Sequence, residues 1–125
     1  MKVPFLKINI EKKTRSNSFY RKVIFTTKTI QLVLMSLKPG IEIGKEKHSK
    51  TTQFIRIEKG TGIAIIRNKK LPLKDGDAIM IKPNTYHNII NTGKTPLKLY
   101  TLYSPPEHGS NAKMRDKNSK MKNKK

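Results

Sequence analysis

Residues 40–60 of the chain read GIEIGKEKHSKTTQFIRIEKG. Two short stretches of alternating character, Ile41–His48 and Gln53–Glu58, are separated by a polar corner and bounded by glycines. Such alternation predicts β-strands that bury one face, and glycines at strand ends are typical of tight turns. Glu46 and His48 are two positions apart on the first stretch, so we expect their side chains to point to the same face of a sheet.

The same pattern extends along most of the chain. Apolar residues make up only 34% of the 125 residues, but they gather in short runs of strand length. Turn signals such as Lys38-Pro39-Gly40 and Asp75-Gly76-Asp77 separate these runs. About nine or ten short strands, with no convincing amphipathic helix, predict an all-β sandwich or barrel.

The composition divides the chain into three parts. Residues 1–19 form a lead-in with an edge strand expected over Phe5–Ile10 and a polar turn expected over 12–18. Residues 20–108 form the single barrel domain. Residues 109–125 have almost no large apolar side chains, so we expect a basic, disordered tail there.

The composition also excludes several classes of protein. There is no cysteine, so neither a disulfide framework nor a thiolate metal site can form. No apolar run approaches the roughly 20 residues that cross a bilayer, and the N-terminus lacks the apolar stretch of a secretory signal. We therefore expect a cytoplasmic protein without membrane contact.

The net charge of +20 arises from 28 Lys and Arg against 8 Asp and Glu, and residues 113–125 carry seven of these basic residues against one Asp. A charge of this size attracts nucleic acid without sequence specificity and in a salt-sensitive manner. The chain lacks the pattern of stacking aromatics that single-strand binders use. We therefore expect any nucleic-acid binding to be non-specific and to involve the basic tail.

Chemistry-bearing residues are concentrated in two spaced blocks. The first block consists of Gly40, Glu46, His48, Gln53 and Gly60. The second block consists of Gly76, Lys82, Asn84, His87 and Asn91. Imidazole nitrogens with carboxylate or amide oxygens are suitable ligands for a divalent metal ion. No phosphate-binding glycine loop and no nucleophile elbow accompanies them.

The two blocks resemble the two motifs of the cupin family, whose first motif runs Gly, His-x-His, Glu, Gly and whose second runs Gly, Pro-x-Gly, His, Asn. The resemblance covers about residues 17–108. Longer phrases such as Gln31–Leu37 and Leu97–Pro106 are similar to small single-domain cupins described as mannose-6-phosphate isomerase-like. This resemblance implies an all-β fold, a double-stranded β-helix or jelly-roll barrel.

The resemblance also implies that Glu46, His48, Gln53 and His87 bind a divalent metal ion, which could be Zn, Fe, Mn or Ni. Glu46 replaces the first motif histidine and Gln53 replaces the motif glutamate, which keeps the charge of the usual set but substitutes a weaker amide ligand. Asn84 occupies the glycine position of the second motif, where asparagine is the next-best residue at positive φ. The alternative is that the four side chains form a hydrogen-bonded polar cluster inside the barrel.

Several functions are compatible with such a site. The resemblance favours a metal-dependent enzyme acting on a sugar or sugar phosphate, as an isomerase, and the excess of lysine favours an anionic molecule. The sequence offers no strong candidate for the base that an isomerase needs. A non-catalytic cupin that binds or senses a small ligand, and an Fe-dependent dioxygenase, therefore remain alternatives.

Strand alternation assigns orientations to residues near the site. Phe54 and Arg56 should face away from the ligands, where they could form a homodimer interface, and Tyr86 should face away from His87. Tyr100 and Tyr103 lie on opposite faces of the last strand, so one of them should border the cavity. His108 is expected in a surface loop.

Overall fold

Strands account for most of the regular structure in the computed structural model, which describes residues 3–110 and 112–117. In chain order the elements are α1 (Ile10–Ser16), β1 (Arg21–Thr26), β2 (Gln31–Leu37), β3 (Thr52–Lys59), β4 (Gly62–Ile66), β5 (Lys69–Leu73), β6 (Ala78–Ile81), β7 (His87–Ile90), β8 (Leu97–Ser104) and β9 (Lys113–Met114). The strands form a six-stranded sheet of order β6-β3-β8-β2-β1-β9 and a three-stranded sheet of order β5-β4-β7. The pairings between strands are antiparallel, and the predicted all-β jelly-roll barrel is confirmed.

The core lies between the inward faces of the two sheets. Val33, Ile55 and Leu99 from the large sheet and Ala64 and Ile89 from the small sheet are fully buried there. Alternate residues of a strand share a face, so the inward positions of β3 are Gln53, Ile55 and Ile57, one polar residue followed by two apolar ones. The strands that build the core thus also deliver polar side chains into the interior at one end.

The outward face of the large sheet has the orientation that alternation predicts. Phe54 and Arg56 are partly exposed, whereas their neighbours on β3 at alternate positions are buried. The Phe54 ring lies 6.3 Å from the Tyr100 ring, and Phe54 pairs with Met80, which is 69% exposed. This outer surface is the one that the sequence offers as a candidate for a homodimer contact.

The prediction of an edge strand over Phe5–Ile10 is wrong. Residues 3–9 contain no strand, and helix α1 covers Ile10–Ser16, which includes most of the range 12–18 where a polar turn was expected. The side-chain oxygen of Asn9 accepts a hydrogen bond of 2.9 Å from the backbone nitrogen of Lys12, which stabilises the start of the helix. Among the described residues no helix is long and apolar enough to cross a bilayer.

The C-terminal segment corrects the prediction of a disordered tail from residue 109 onward, as far as the structure describes it. Strand β9 pairs with β1, with Met114 opposite Arg21. Ala112 and Met114 are buried on alternate positions, and this pair of apolar residues anchors an otherwise basic segment against the barrel. The rest of the predicted tail, residues 118–125, lies outside the described residues.

Three tight turns adopt the backbone conformation that their residues predict. Gly40 and Gly76 have φ angles of 81° and 91°, and Asn84 has a φ of 66°. Asparagine tolerates this left-handed conformation better than other residues with a Cβ atom. Asn84 therefore keeps the turn that precedes His87, although the motif glycine is absent.

Candidate metal centre

Backbone pairing brings two of the proposed ligands face to face. The Glu46 N–H donates to the His87 carbonyl, and the His87 N–H donates to the Glu46 carbonyl, both at 2.9 Å. Nearby, the Asn84 N–H donates to the His48 carbonyl at 2.7 Å. The segment that carries Glu46 and His48 therefore runs beside β7 and the turn that precedes it.

The side chains of Glu46, His48 and His87 converge inside the barrel. Glu46 Oε2 lies 3.5 Å from His87 Nε2 and 3.7 Å from His48 Nε2. Each residue offers one donor atom, and these atoms all lie within 4.8 Å of one another. Ligand atoms about 2.1 Å from a shared ion would be about 3.0–3.4 Å apart, so the three donors are spread slightly wider than a bound ion requires.

The polar atoms of the two imidazoles fit a cation at this point. The Nε2 atoms of His48 and His87 are both buried and have no hydrogen-bond partner. His87 Nδ1 lies 2.9 Å from the Thr85 carbonyl, which can only accept, so Nδ1 donates there and the neutral ring would leave its Nε2 available to ligate. Buried polar atoms normally find partners, and a metal ion would supply the missing one.

Gln53 lies at the inward position of β3 and is 1% exposed. Its Nε2 donates to Thr101 Oγ1 at 3.0 Å, whereas its Oε1 is buried without a partner. An amide held in this way leaves its oxygen free to ligate. The orientation of the Gln53 amide is compatible with a role as fourth ligand, and that role stays a prediction.

The electrostatics of the cluster favour an ionised carboxylate between two imidazoles. Burial acts to raise the pKa of Glu46, but the adjoining imidazoles of His48 and His87 outweigh it and lower the pKa to about 2. The contact with Glu46 in turn raises the pKa of His48, against the effect of burial. A negative charge in this interior is the complement that a divalent cation needs.

Glu107 orients His48 from the far side of its ring, a role that the sequence motifs do not indicate. Glu107 Oε2 lies 3.2 Å from His48 Nδ1, and Thr51 Oγ1 lies 3.2 Å from Glu107 Oε1, to which it donates. A carboxylate on the second nitrogen of an imidazole fixes the ring and strengthens it as a ligand. No spacing signal connects a residue after the last barrel strand with His48.

The substitution Glu107→Gln is expected to weaken Zn²⁺ binding about tenfold, because an amide polarises the His48 ring less than a carboxylate. A competition titration against a chromogenic chelator measures the change. Glu11→Gln, which removes an equal charge from an exposed position on α1, serves as the control and should leave the affinity unaltered. Equal affinities for Glu107→Gln and the unchanged protein would exclude the orienting role.

Tyr103 and His108 complete the wall of the site. Tyr103 is 1% exposed, and its ring centroid lies 5.7 Å from that of His48 and 5.1 Å from that of His108, edge-on in both cases. Of the two tyrosines on β8, Tyr103 is thus the one that borders the cavity. His108 follows β8 in a loop, as predicted, but its ring turns towards Tyr103 with Nε2 buried, and Gln31 holds its backbone: Gln31 donates to the His108 carbonyl at 2.7 Å and accepts from its N–H at 3.0 Å.

The half-buried His108 is expected to make folding sensitive to acid. Burial, followed by the positive charge of Arg21, lowers the pKa of His108 from 6.5 to about 4. The unfolded chain therefore binds a proton at His108 below about pH 6.5, whereas the folded chain binds it only near pH 4. Acidification between these two values favours the unfolded state. In urea titrations of metal-free protein, stability should fall less steeply between pH 6.5 and 4 for His108→Phe; parallel profiles would contradict a neutral His108.

Comparisons with known proteins agree with the fold and the site. The profile of the cupin domain family matches residues 33–103, which is more than half of the chain. The chain belongs to the cupin family. Within this family, the cupin is 44% identical to the protein YrkC of Bacillus subtilis over 111 residues. The aligned part covers 84% of this chain and 59% of YrkC. It is 50% identical over 105 residues to the mimivirus protein L612, which covers 81% of the chain and 66% of L612.

A solved structure extends the similarity to nearly the whole fold. The crystal structure of BH2720 from Bacillus halodurans superposes with a TM-score of 0.89 at 36% identity and covers 92% of this cupin and 91% of that chain. The two sequence relatives are longer: this cupin spans about 59% of the length of YrkC and 66% of the length of L612. The family, the jelly-roll barrel and a Glu46–His48–His87 group that could hold a metal ion are therefore established, and the chemistry at this group is the subject of a proposal.

Proposed function

We propose that this cupin binds a divalent cation through Glu46, His48, His87 and Gln53 and acts there on a small molecule. The observation that carries the proposal is the pair of buried Nε2 atoms, on His48 and His87, that lie without partners beside an ionised carboxylate. Two imidazoles with oxygen ligands are compatible with Zn, Fe, Mn or Ni, and the cysteine-free chain gives no preference for a softer ion.

The chain orients the side chains around such a centre. Thr85 and Glu107 hold the two imidazoles from their outer nitrogens, and the buried Tyr103 ring lies edge-on beside His48. A bound divalent cation would polarise a carbonyl or hydroxyl oxygen of the small molecule. A reactive oxygen of this kind is therefore the feature that we expect the small molecule to present to Glu46, His48 and His87.

As the finer proposal, the small molecule is a sugar or sugar phosphate and the reaction is an isomerisation. Support comes from the resemblance to mannose-6-phosphate isomerase-like cupins and from the net charge of +20, which attracts anionic molecules. An aldose–ketose isomerisation moves a proton from the carbon beside the carbonyl, so it requires a base within reach of that carbon.

A second candidate function, non-catalytic binding of a small ligand, is favoured by a specific observation. Both carboxylates that border the centre are already engaged, because Glu46 faces the two imidazoles and Glu107 contacts His48 and Thr51. Neither is free to take a proton from a substrate carbon. A cupin that binds and reports a ligand would need no such base.

The two functions are separated by assaying the purified full chain after reconstitution with Zn²⁺, Fe²⁺, Mn²⁺ or Ni²⁺. An isomerase should interconvert a hexose 6-phosphate, lose this activity with a chelator, and lack it in His87→Ala. Thermal stabilisation by the sugar phosphate without turnover would instead support the binding module. Oxygen uptake by the Fe²⁺ form alone would indicate a dioxygenase, and a wild-type protein that takes up none of the four metals would contradict the metal centre itself.

We further propose that this cupin acts in the cytoplasm as a homodimer. The support for the dimer is the apolar outer surface of the large sheet, where Met80 is 69% exposed beside Phe54. Sedimentation velocity on the unchanged protein and on Met80→Glu tests it. A dimer that Met80→Glu converts to a monomer is expected, and a monomeric unchanged protein would overturn the proposal.

A further inference from the structure

A second set of side chains in the barrel has buried nitrogen atoms without hydrogen-bond partners. Arg21 is the first residue of β1, and alternation places its side chain on the inward face together with the buried Val23. The Arg21 Nε is buried and has no hydrogen-bond partner. Within residues 3–110 and 112–117, no carboxylate lies at ion-pair distance from Arg21.

The contacts of Arg21 locate its guanidinium group against buried residues of the barrel. Its Nη1 lies 3.7 Å from the sulfur of the buried Met114, and its Cζ lies 5.2 Å from the ring centroid of Tyr20. Arg21 on β1 and Tyr103 on β8 both occupy inward positions of the large sheet, and Tyr103 also borders His48.

His108 adds a second polar nitrogen from the C-terminal loop. Its Nε2 is buried without a hydrogen-bond partner, and its ring rests against the Tyr103 ring. The double hydrogen bond between Gln31 and the His108 backbone fixes the position of this ring. Because Tyr103 contacts both His48 and His108, the His108 ring lies beside the metal centre in the barrel interior.

We propose that Arg21 and His108 form an oxyanion subsite that binds a carboxylate or phosphate group of the small molecule. This inference deepens the proposed function and rests on it, since the same molecule would present another oxygen to the metal centre. A guanidinium group without an acidic partner is costly to keep in a protein interior, and it binds planar or tetrahedral oxyanions with two parallel hydrogen bonds. An uncharged sugar would leave the Arg21 charge uncompensated.

The consequence is a restriction on the class of ligand. The molecule must carry an oxyanion at one end and a carbonyl or hydroxyl oxygen at the other, as sugar phosphates and small hydroxy or oxo acids do. The two kinds of oxyanion differ in shape but share the chemistry that Arg21 recognises. Separate titrations with inorganic phosphate, with malonate and with uncharged mannose distinguish them.

Isothermal titration of the full-length Zn²⁺-loaded protein tests the subsite. Phosphate or malonate should bind the unchanged protein, and Arg21→Met should weaken that binding about tenfold to a hundredfold. Lys22→Met removes the same charge from the neighbouring outward position, where Lys22 lies over the Phe19 ring, and should change the affinity less than about twofold. His108→Phe keeps a ring against Tyr103 and should cost about threefold to tenfold.

Two further measurements keep the outcome unambiguous. Arg21→Lys retains a charge at the same position and should keep part of the affinity. It serves as the test variant if thermal unfolding of both variants shows that Arg21→Met perturbs the fold. Equal losses in Arg21→Met and Lys22→Met, or mannose binding as tightly as both anions, would overturn the subsite. The Zn²⁺ content is measured first: a metal-free wild type contradicts the proposed function, while phosphate titration of that protein still tests Arg21.

Discussion

Replacing His87 by alanine is expected to abolish stoichiometric metal binding, with a loss of affinity of more than about a hundredfold. His87 is 3% exposed, and its Nε2 is one of the two unpartnered imidazole nitrogens beside Glu46. The substitution removes a principal donor that the Thr85 carbonyl holds in the ligating tautomer. Elemental analysis of protein purified in parallel with the unchanged chain measures the effect, and His48→Ala should behave in the same way.

The third histidine of the chain provides the matched control for this experiment. His108 borders the same cavity, but it does not belong to the group of donor atoms that lie within 4.8 Å of one another. His108→Ala should therefore retain the metal. Loss of metal from all three histidine variants would point to a general disturbance of the barrel, and full metal content in His87→Ala would refute the ligand assignment.

Substitution of Gly62 by alanine is expected to destabilise the barrel by on the order of 3 kcal/mol. A Cβ atom at Gly62 would lie 2.5 Å from the backbone carbonyl oxygen of Ile90 on β7, and a backbone atom cannot rotate away. Relief of this clash requires β4 and β7 to separate. Because His87 begins β7, the affinity for Zn²⁺ should fall together with the free energy of unfolding.

Gly93→Ala is the control for the effect of an added methyl group. The nearest atom to a Cβ at Gly93 is the Thr61 hydroxyl oxygen at 2.5 Å, and this side chain can change rotamer. We expect a loss within about 1 kcal/mol and unaltered metal affinity. Urea unfolding of both glycine variants reports the difference, and equal stability of Gly62→Ala and Gly93→Ala would mean that β7 adapts to the added atom.

Much of the architecture was predictable because it depends on local sequence. The alternation of residues 53–58 predicts which side chains turn inward, and Ile55 is fully buried while Phe54 is partly exposed, whereas the strand predicted over Ile41–His48 is reduced to isolated bridges at Glu42 and Glu46. The spacing of Glu46 and His48 predicts that they share a face, and the resemblance to the cupin motifs implies that His87 joins them; the structure brings these three donors together. The turn at Asn84 was predictable for the same reason, since its conformation depends on the residue itself.

The remaining features depend on contacts between residues distant in sequence or on weak local signals. Glu107 reaches His48 across the barrel, and Arg21 meets Met114 through the pairing of β1 with β9. Neither contact leaves a spacing pattern in one sequence. The segment around Ala112 and Met114 has a basic composition, which by its average polarity predicts disorder. That average does not detect two apolar residues that become buried when β9 pairs with the edge of β1.

Anomalous scattering from crystals of the full-length protein grown with Zn²⁺ tests the central claim most directly. Data collected on both sides of the zinc absorption edge should give one strong difference peak inside the barrel, about 2.0–2.2 Å from the Nε2 atoms of His48 and His87 and from a Glu46 carboxylate oxygen. A cavity without a peak, or zinc bound only at other residues, would contradict the account.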